Sequence, residues 1–181
     1  SDRGYKKLEG FLKNGGVVLS TPGRAASQQF LKLQKRGLFS AQHQGIGGRN
    51  VGEEPVYINR LNPRSVLAEA FPRPHETDLF LFPVRRYLKV SPGERVHTLL
   101  EAGEGFPVLM SRSYQQGGKL YISTVAFSPK WSDWPFSGSF LPTLRETFAP
   151  SRLDRYTPIK RVDCGNRIAI PKSEISKDNA R

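Results

Sequence analysis

Apolar positions divide the chain into helical and extended stretches. Tyr5, Leu8, Phe11 and Leu12 recur at i, i+3, i+6 and i+7, the stripe of an amphipathic helix, and Asn14-Gly15-Gly16 ends it with residues suited to a left-handed C-terminal turn. Val17, Val18 and Leu19 then predict a short buried strand and Thr21-Pro22-Gly23 a turn. Residues 25–35 place Ala26, Phe30, Leu31 and Leu33 on a second helix that ends before Gly37. Residues 45–55 are glycine-rich and polar and predict an irregular excursion before a strand at Val56-Tyr57-Ile58. Residues 65–71 predict a short helix closed by Pro72 and Pro74.

From Leu79 onward the period shortens to that of strands, over 79–82, 86–90, 96–101, 107–113 and 119–127. The Gly-bearing segments 101–105 and 115–118 have hairpin composition, so the second half is expected to be antiparallel. In 119–127, Leu120, Ile122, Thr124 and Ala126 alternate with Tyr121, Ser123, Val125 and Phe127. Both sides are largely apolar, as in a strand covered on two faces, and residues 16–20 share that character, so both are expected as inner strands. Ser128-Pro129 ends the ladder because proline offers no donor, and Ser132 or Asp133 is placed to cap the next turn or helix entry. Phe140, Leu141, Leu144 and Phe148 then fall at helical spacing, predicting a helix that packs back onto the sheet with Arg145 and Glu146 directed elsewhere. The expected fold is α/β: three layers around a mixed sheet, antiparallel in its second half.

A chain of 181 residues with 37% hydrophobic content can bury one substantial core, and 17 glycines with 14 prolines fit its many turns. It has no apolar run of 18 or more residues and no signal-peptide pattern. It starts within a predicted helix, so a piece of a longer protein is expected. The formal charge of +12 is suited to phosphate polymers or anionic lipid head groups. Residues 1–36 hold eight Lys or Arg against two acids, and the last thirty are basic but punctuated by Asp154, Asp163, Glu174 and Asp178. No helix-turn-helix, zinc-finger or RNA-recognition pattern accompanies these charges, which disfavours nucleic-acid binding.

Candidate chemistry is sparse. His43, His75 and His97 lie in separate segments without metal-ligand spacing, and no cofactor pattern is present. His97 reads as a sheet-surface residue, and His75, beside Glu76 and Asp78, as a residue of a solvated loop. Gly45-Ile46-Gly47-Gly48-Arg49-Asn50 has the glycines of a phosphate cradle but lacks its Lys-Ser/Thr and the preceding strand, and reads as a surface loop. Ser20 ends a strand where a nucleophile could sit, yet Leu19 and Thr21 replace the glycines of a Gly-x-Ser-x-Gly elbow. Trp131-Ser132-Asp133-Trp134 stands out. Two large aromatics beside Pro135 can bury around a loop corner while Ser132 and Asp133 bond backbone amides, a structural lock; the alternative is an exposed aromatic docking spot.

The stretch GKLYISTVAFSPKWSDWPFSGSFLPTL resembles a segment near the end of the extracytoplasmic domain of Bat-type (Bacteroides aerotolerance-like) bacterial membrane proteins. FLKNGGVVLSTPG, LFLFPVRRYLKV and GFPVLMSRSYQQGG resemble its preceding parts in the expected order, so the resemblance spans about residues 2–150. It implies a flavodoxin-like, degenerate class I glutamine-amidotransferase-like domain over 1–150. The basic, β-containing segment 151–181 is then a tail or the start of a following module. It further implies a periplasmic location, attachment through transmembrane segments outside this chain, and association with a protein partner or with other domains of the same membrane protein. An amidotransferase needs a nucleophilic cysteine on a strand-to-helix elbow with a histidine to activate it. The one cysteine, Cys164, lies beyond the domain between Asp163 and Gly165, with no elbow around it and a carboxylate that disfavours its thiolate. The amidotransferase activity therefore does not carry over, and no catalytic, cofactor or metal residue is assigned. A non-catalytic interaction domain is expected. The alternatives are a hydrolase or amidotransferase relative with a relocated active site, and a binder of nucleic acid or an anionic surface through the basic charge.

Overall fold

The computed structural model describes residues 2–48 and 55–148. Helix α1 (Asp2–Lys13) passes through Gly15 and Gly16 into strand β1 (Val17–Ser20), and helix α2 (Ala26–Lys35) comes after it. Strands β2 (Ala41–Gly48), β3 (Val56–Leu61), β4 (Pro83–Val84), β5 (Arg86–Pro92), β6 (His97–Ala102), β7 (Phe106–Ser113) and β8 (Lys119–Ser123) come next, with short 3-10 turns among them. Helix α3 (Phe140–Phe148) closes the described chain. One mixed sheet has the order β1-β8-β7-β6-β3-β4, in which β1 and β8 are parallel and the other pairs antiparallel; β2 and β5 form a separate antiparallel ribbon.

Strand alternation sorts the core into two clusters, one on each face of the sheet. Leu120 and Ile122 of β8 join Leu12, Phe30, Leu33, Phe39 and Leu88, so α1, α2 and the ribbon cover one face. Tyr121 joins Leu67, Leu79, Val125 and Trp134, against which Phe140 of α3 packs on the other. The result is the three-layer α/β arrangement. The end of α1 lies close against the β7–β8 connection: Gly15 takes φ +87°, and a Cβ on Gly118 would stand 1.7 Å from the Leu12 carbonyl oxygen.

Several local expectations are corrected. Strand β1 is an edge strand with half-buried residues rather than an inner one, because the chain leaving α2 pairs with β5 in the ribbon instead of supplying β1 with a second neighbour. Strand β8 is inner but stops at Ser123, whose hydroxyl accepts from Val125 N at 3.2 Å and donates to Val125 O at 2.6 Å, bending the chain out of the ladder. The segment 79–82 is not a strand. Thr77 Oγ1 accepts from Leu79 N at 3.3 Å and starts a 3-10 turn, Asp78–Phe80. The predicted excursion 45–55 is strand as far as Gly48, and its remainder up to residue 54 lies outside the described residues, as do residues 149–181 with Cys164.

Helix α3 faces the sheet differently from its apolar spacing. Thr143 and Thr147 are buried, whereas Leu141 is 72% and Phe148 42% exposed. Each threonine donates to the carbonyl four residues back, at 2.8 and 2.7 Å, which satisfies its hydroxyl and lets it enter the core.

Candidate functional site

The segment after β8 begins as a compact turn. Trp131 N and Ser132 N both donate to Ser128 O, at 2.9 and 3.0 Å. Trp131 O in turn accepts from the backbone of Arg85 and Arg86 at 2.7 and 3.2 Å, which fastens the turn to the junction of β4 and β5. Ser132 is fully buried; its hydroxyl donates to Pro83 O at 2.8 Å and accepts from Trp134 N at 3.1 Å. The Ser132 side chain thus adds a buried stitch to the far edge of the sheet.

Asp133 does not bond backbone amides, as the sequence suggests. Its carboxylate takes the Arg85 guanidinium in a two-pronged pair, one prong at 2.8 Å, and Arg85 also donates to Pro129 O at 2.9 Å. The hydrogen bond from Arg85 is the main reason the Asp133 carboxyl is held below its ordinary pKa. Because both side chains stay over a third exposed, solvent screens much of this attraction.

The two tryptophans differ. Trp134 is 1% exposed and stands edge-on to Phe127 and Phe140, with ring centroids 6.1 and 5.4 Å away. Its indole N–H is buried with no hydrogen-bond partner among the described residues. Trp131 is half-buried, with the Arg86 guanidinium 5.8 Å from its ring centre. The four residues thus join β8, the β4–β5 junction and α3. Asp78, a residue without a sequence signal for this role, caps the start of α3 by accepting from Gly138 N at 2.6 Å and Ser139 N at 2.9 Å. Its partners lie sixty residues away in sequence, beyond any local capping pattern.

Around this junction several apolar side chains face solvent. Phe136 is 71% exposed, Leu141 72% and Leu81 68%. The Asp78 cap holds the turn that ends at Leu81 beside the start of α3, so the three sit on neighbouring elements.

The other sequence candidates are dispersed. Ser20 lines a crevice at the ends of β1 and β8 with Thr21, Phe30, Leu33, Leu88 and Ser123, and its free volume is about 10 Å³, room for roughly one water molecule. Ser123 has its hydroxyl engaged by Val125, and none of the three histidines lines the crevice. His43 on β2 packs 5.7 Å from the Phe30 ring, His75 stands edge-on to Phe80, and His97 is exposed at the start of β6. Among the described residues no group of three or more His, Cys, Asp or Glu could hold a metal ion. Of the glycines in this run, Gly47 serves packing, since a Cβ on it would meet the Tyr87 ring at 2.6 Å, whereas Gly45 has open space and a positive φ of +114°. A cleft of about 310 Å³ at the β6–β7 turn has two polar pairs across its wall, Asn59 with Gly103 O at 2.8 Å and Arg60 with Glu101 at 3.2 Å.

No family model and no curated protein matches the chain. Solved structures do. Cytoplasmic protein STM3548 from Salmonella typhimurium is similar with a TM-score of 0.62 at 15% identity, over 79% of this chain and 58% of that one. Cytoplasmic protein STM1381 from Salmonella typhimurium LT2 gives 0.54 at 18% identity, over 84% and 60%. The N-terminal domain of mmIFT52 gives 0.50 at 16% identity, over 90% and 73%. The chain thus matches only about three fifths of the length of the two Salmonella proteins. At these identities the likeness extends to the fold alone. Among the described residues no helix is long and apolar enough to cross a membrane.

Proposed function

We propose that this α/β unit is a non-catalytic protein-association domain, and that it works at the extracytoplasmic, periplasmic face of a bacterial membrane-associated protein, as the Bat-type resemblance implies. The observation that carries the association reading is the orientation of helix α3. It buries Thr143 and Thr147 and turns Leu141 to solvent, with exposed Phe136 and Leu81 on the elements tied to its start. Single exposed apolar residues are ordinary; large ones gathered on linked elements mark contact surfaces. The Trp131–Trp134 loop supports this surface from beneath by anchoring α3 to the sheet. Two features favour a non-catalytic role: the crevice beside Ser20 holds only about 10 Å³ of free space, and the Ser123 hydroxyl is committed to backbone.

The test is a photo-cross-linking amino acid placed at Leu141, with Glu94 in the β5–β6 turn as the control position, in cells producing the chain. A discrete adduct at Leu141, absent at Glu94 and lost with Phe136→Ser, supports the reading. Equal labelling from both positions, or glutaminase, esterase or peptidase turnover abolished by Ser20→Ala, refutes it.

A further inference from the structure

The opposite face of the sheet carries a different surface. Helices α1 and α2 pack on the same buried cluster, and Arg36, just past the end of α2, lies over the Tyr5 ring of α1 at 5.1 Å, so the two helices share this side of the sheet and meet at that point. Outward they are basic. Lys6, Lys7, Lys32 and Lys35 are exposed, α2 contains no acid, and of the two acids of α1, Asp2 is its first residue and Glu9 is paired with Lys13 at 2.6 Å. No acidic partner of those four lysines occurs among the described residues.

Two apolar side chains interrupt the lysines. Phe11 is 55% and Leu31 39% exposed. Lys7 and Phe11 are four residues apart on α1, as are Leu31 and Lys35 on α2, so each apolar group shares a helix side with a lysine one turn away. A solvated charged face needs no such apolar groups. A surface that meets the boundary between phosphate head groups and acyl chains uses both kinds.

Nucleic acid would instead use aromatic rings as stacking platforms. On this side Arg36 lies over Tyr5 and Arg112 over Tyr114 at 5.0 Å, the exposed Phe11 ring has one side against Gly16, and Leu31 offers no ring at all, so the face lacks a row of open rings for successive bases. We infer that the α1–α2 face is a peripheral docking surface for an anionic phospholipid bilayer, with Lys6, Lys7, Lys32 and Lys35 facing the phosphates and Phe11 and Leu31 entering the head-group boundary. This surface is separate from the one around α3, and either can fail alone.

Flotation of the full chain with phosphatidylcholine vesicles, with and without phosphatidylglycerol, tests the inference. Binding is expected only with phosphatidylglycerol and weakened as salt rises from about 0.1 to about 0.5 M. Replacing all four lysines by Gln should lower affinity at least about a hundredfold, at roughly fivefold per basic residue near the surface. Phe11→Ser with Leu31→Ser should weaken vesicle binding several-fold while leaving heparin retention unchanged, and Leu141→Ser should leave vesicle binding alone. Circular dichroism checks that each variant is folded, and Leu31→Ser alone replaces the double variant if Phe11→Ser perturbs the helix. Vesicle binding that survives the four-lysine change, is indifferent to Leu31→Ser, or is weaker than binding to single-stranded RNA at the same salt overturns the inference.

Discussion

Replacing Ser132 by Ala separates a structural lock from a surface ornament. The hydroxyl is fully buried and holds two backbone groups, Pro83 O at 2.8 Å and Trp134 N at 3.1 Å. Removing it leaves an N–H without a partner in a dry site and strips one bond from a carbonyl, and alanine adds nothing in return. A stranded buried donor costs about 1–3 kcal/mol, so the expected loss is about 2 kcal/mol. For a domain of this size that lowers Tm by roughly 4–8 °C. Asp133→Ala provides the contrast. Its pair with Arg85 is charged but over a third exposed, and Arg85 retains Pro129 O, so the expected loss is about 0.5–1 kcal/mol. Urea denaturation of the two variants and the parent, with the transition slopes compared, gives both numbers. If Asp133→Ala is the more damaging, or Ser132→Ala falls within about 0.5 kcal/mol of the parent, the loop is not held by its buried hydroxyl and the reasoning fails.

Trp134→Ala should cost about 3–5 kcal/mol and Trp131→Ala clearly less, because only the Trp134 ring is fully enclosed; equal losses in denaturant midpoints would contradict this. Asp133 has a lowered carboxyl pKa in the fold, so its small stabilisation is present above the ordinary carboxylate pKa and is lost as pH falls through the lowered value. Parent and Asp133→Asn should therefore converge in acid, and a gap that persists to the lowest pH refutes the pairing. Burial pushes the Tyr121 hydroxyl up to about 12, so stability associated with its neutral form is complete below the unfolded value near 10 and declines as pH rises toward the folded value. Alkaline thermal melts should be flatter for Tyr121→Phe over that window. Gly118→Ala should lose at least about 2 kcal/mol, since its Cβ would stand 1.7 Å from the Leu12 carbonyl oxygen; an unchanged melting temperature would show that α1 does not close on the hairpin.

The likeness to the two Salmonella proteins and to the N-terminal domain of mmIFT52 constrains the architecture while leaving its use open. Folds of this kind host unrelated activities, and function has to be argued from sites. Here the arguable sites are surfaces: exposed apolar groups around α3, and lysines interleaved with Phe11 and Leu31 on the other side of the sheet.

Sequence determined what depends on neighbours a few residues apart. The apolar stripe and glycine stop of α1, the span of α2, the β6–β7 and β7–β8 hairpins and the helix at α3 come from period and turn chemistry, and they appear with boundaries close to those expected. The failures have two sources: distant partners decided some, and side chains bonding backbone two to four residues away, as at Thr77, Ser123, Thr143 and Thr147, decided the others. The glycines of β2 are strand because they pair with β5, whose Tyr87 packs where a side chain on Gly47 would be, and β1 is an edge because the chain after α2 pairs elsewhere. Helix α3 presents Leu141 to solvent because its threonines bond their own backbone and enter the core, which hydrophobic spacing alone scores as the wrong face. The Trp-Ser-Asp-Trp run was visible at once, but its partners Pro83 and Arg85 lie nearly fifty residues upstream. Only the folded chain brings them within hydrogen-bond reach, and that long-range closure decides which of its four side chains carries the loop.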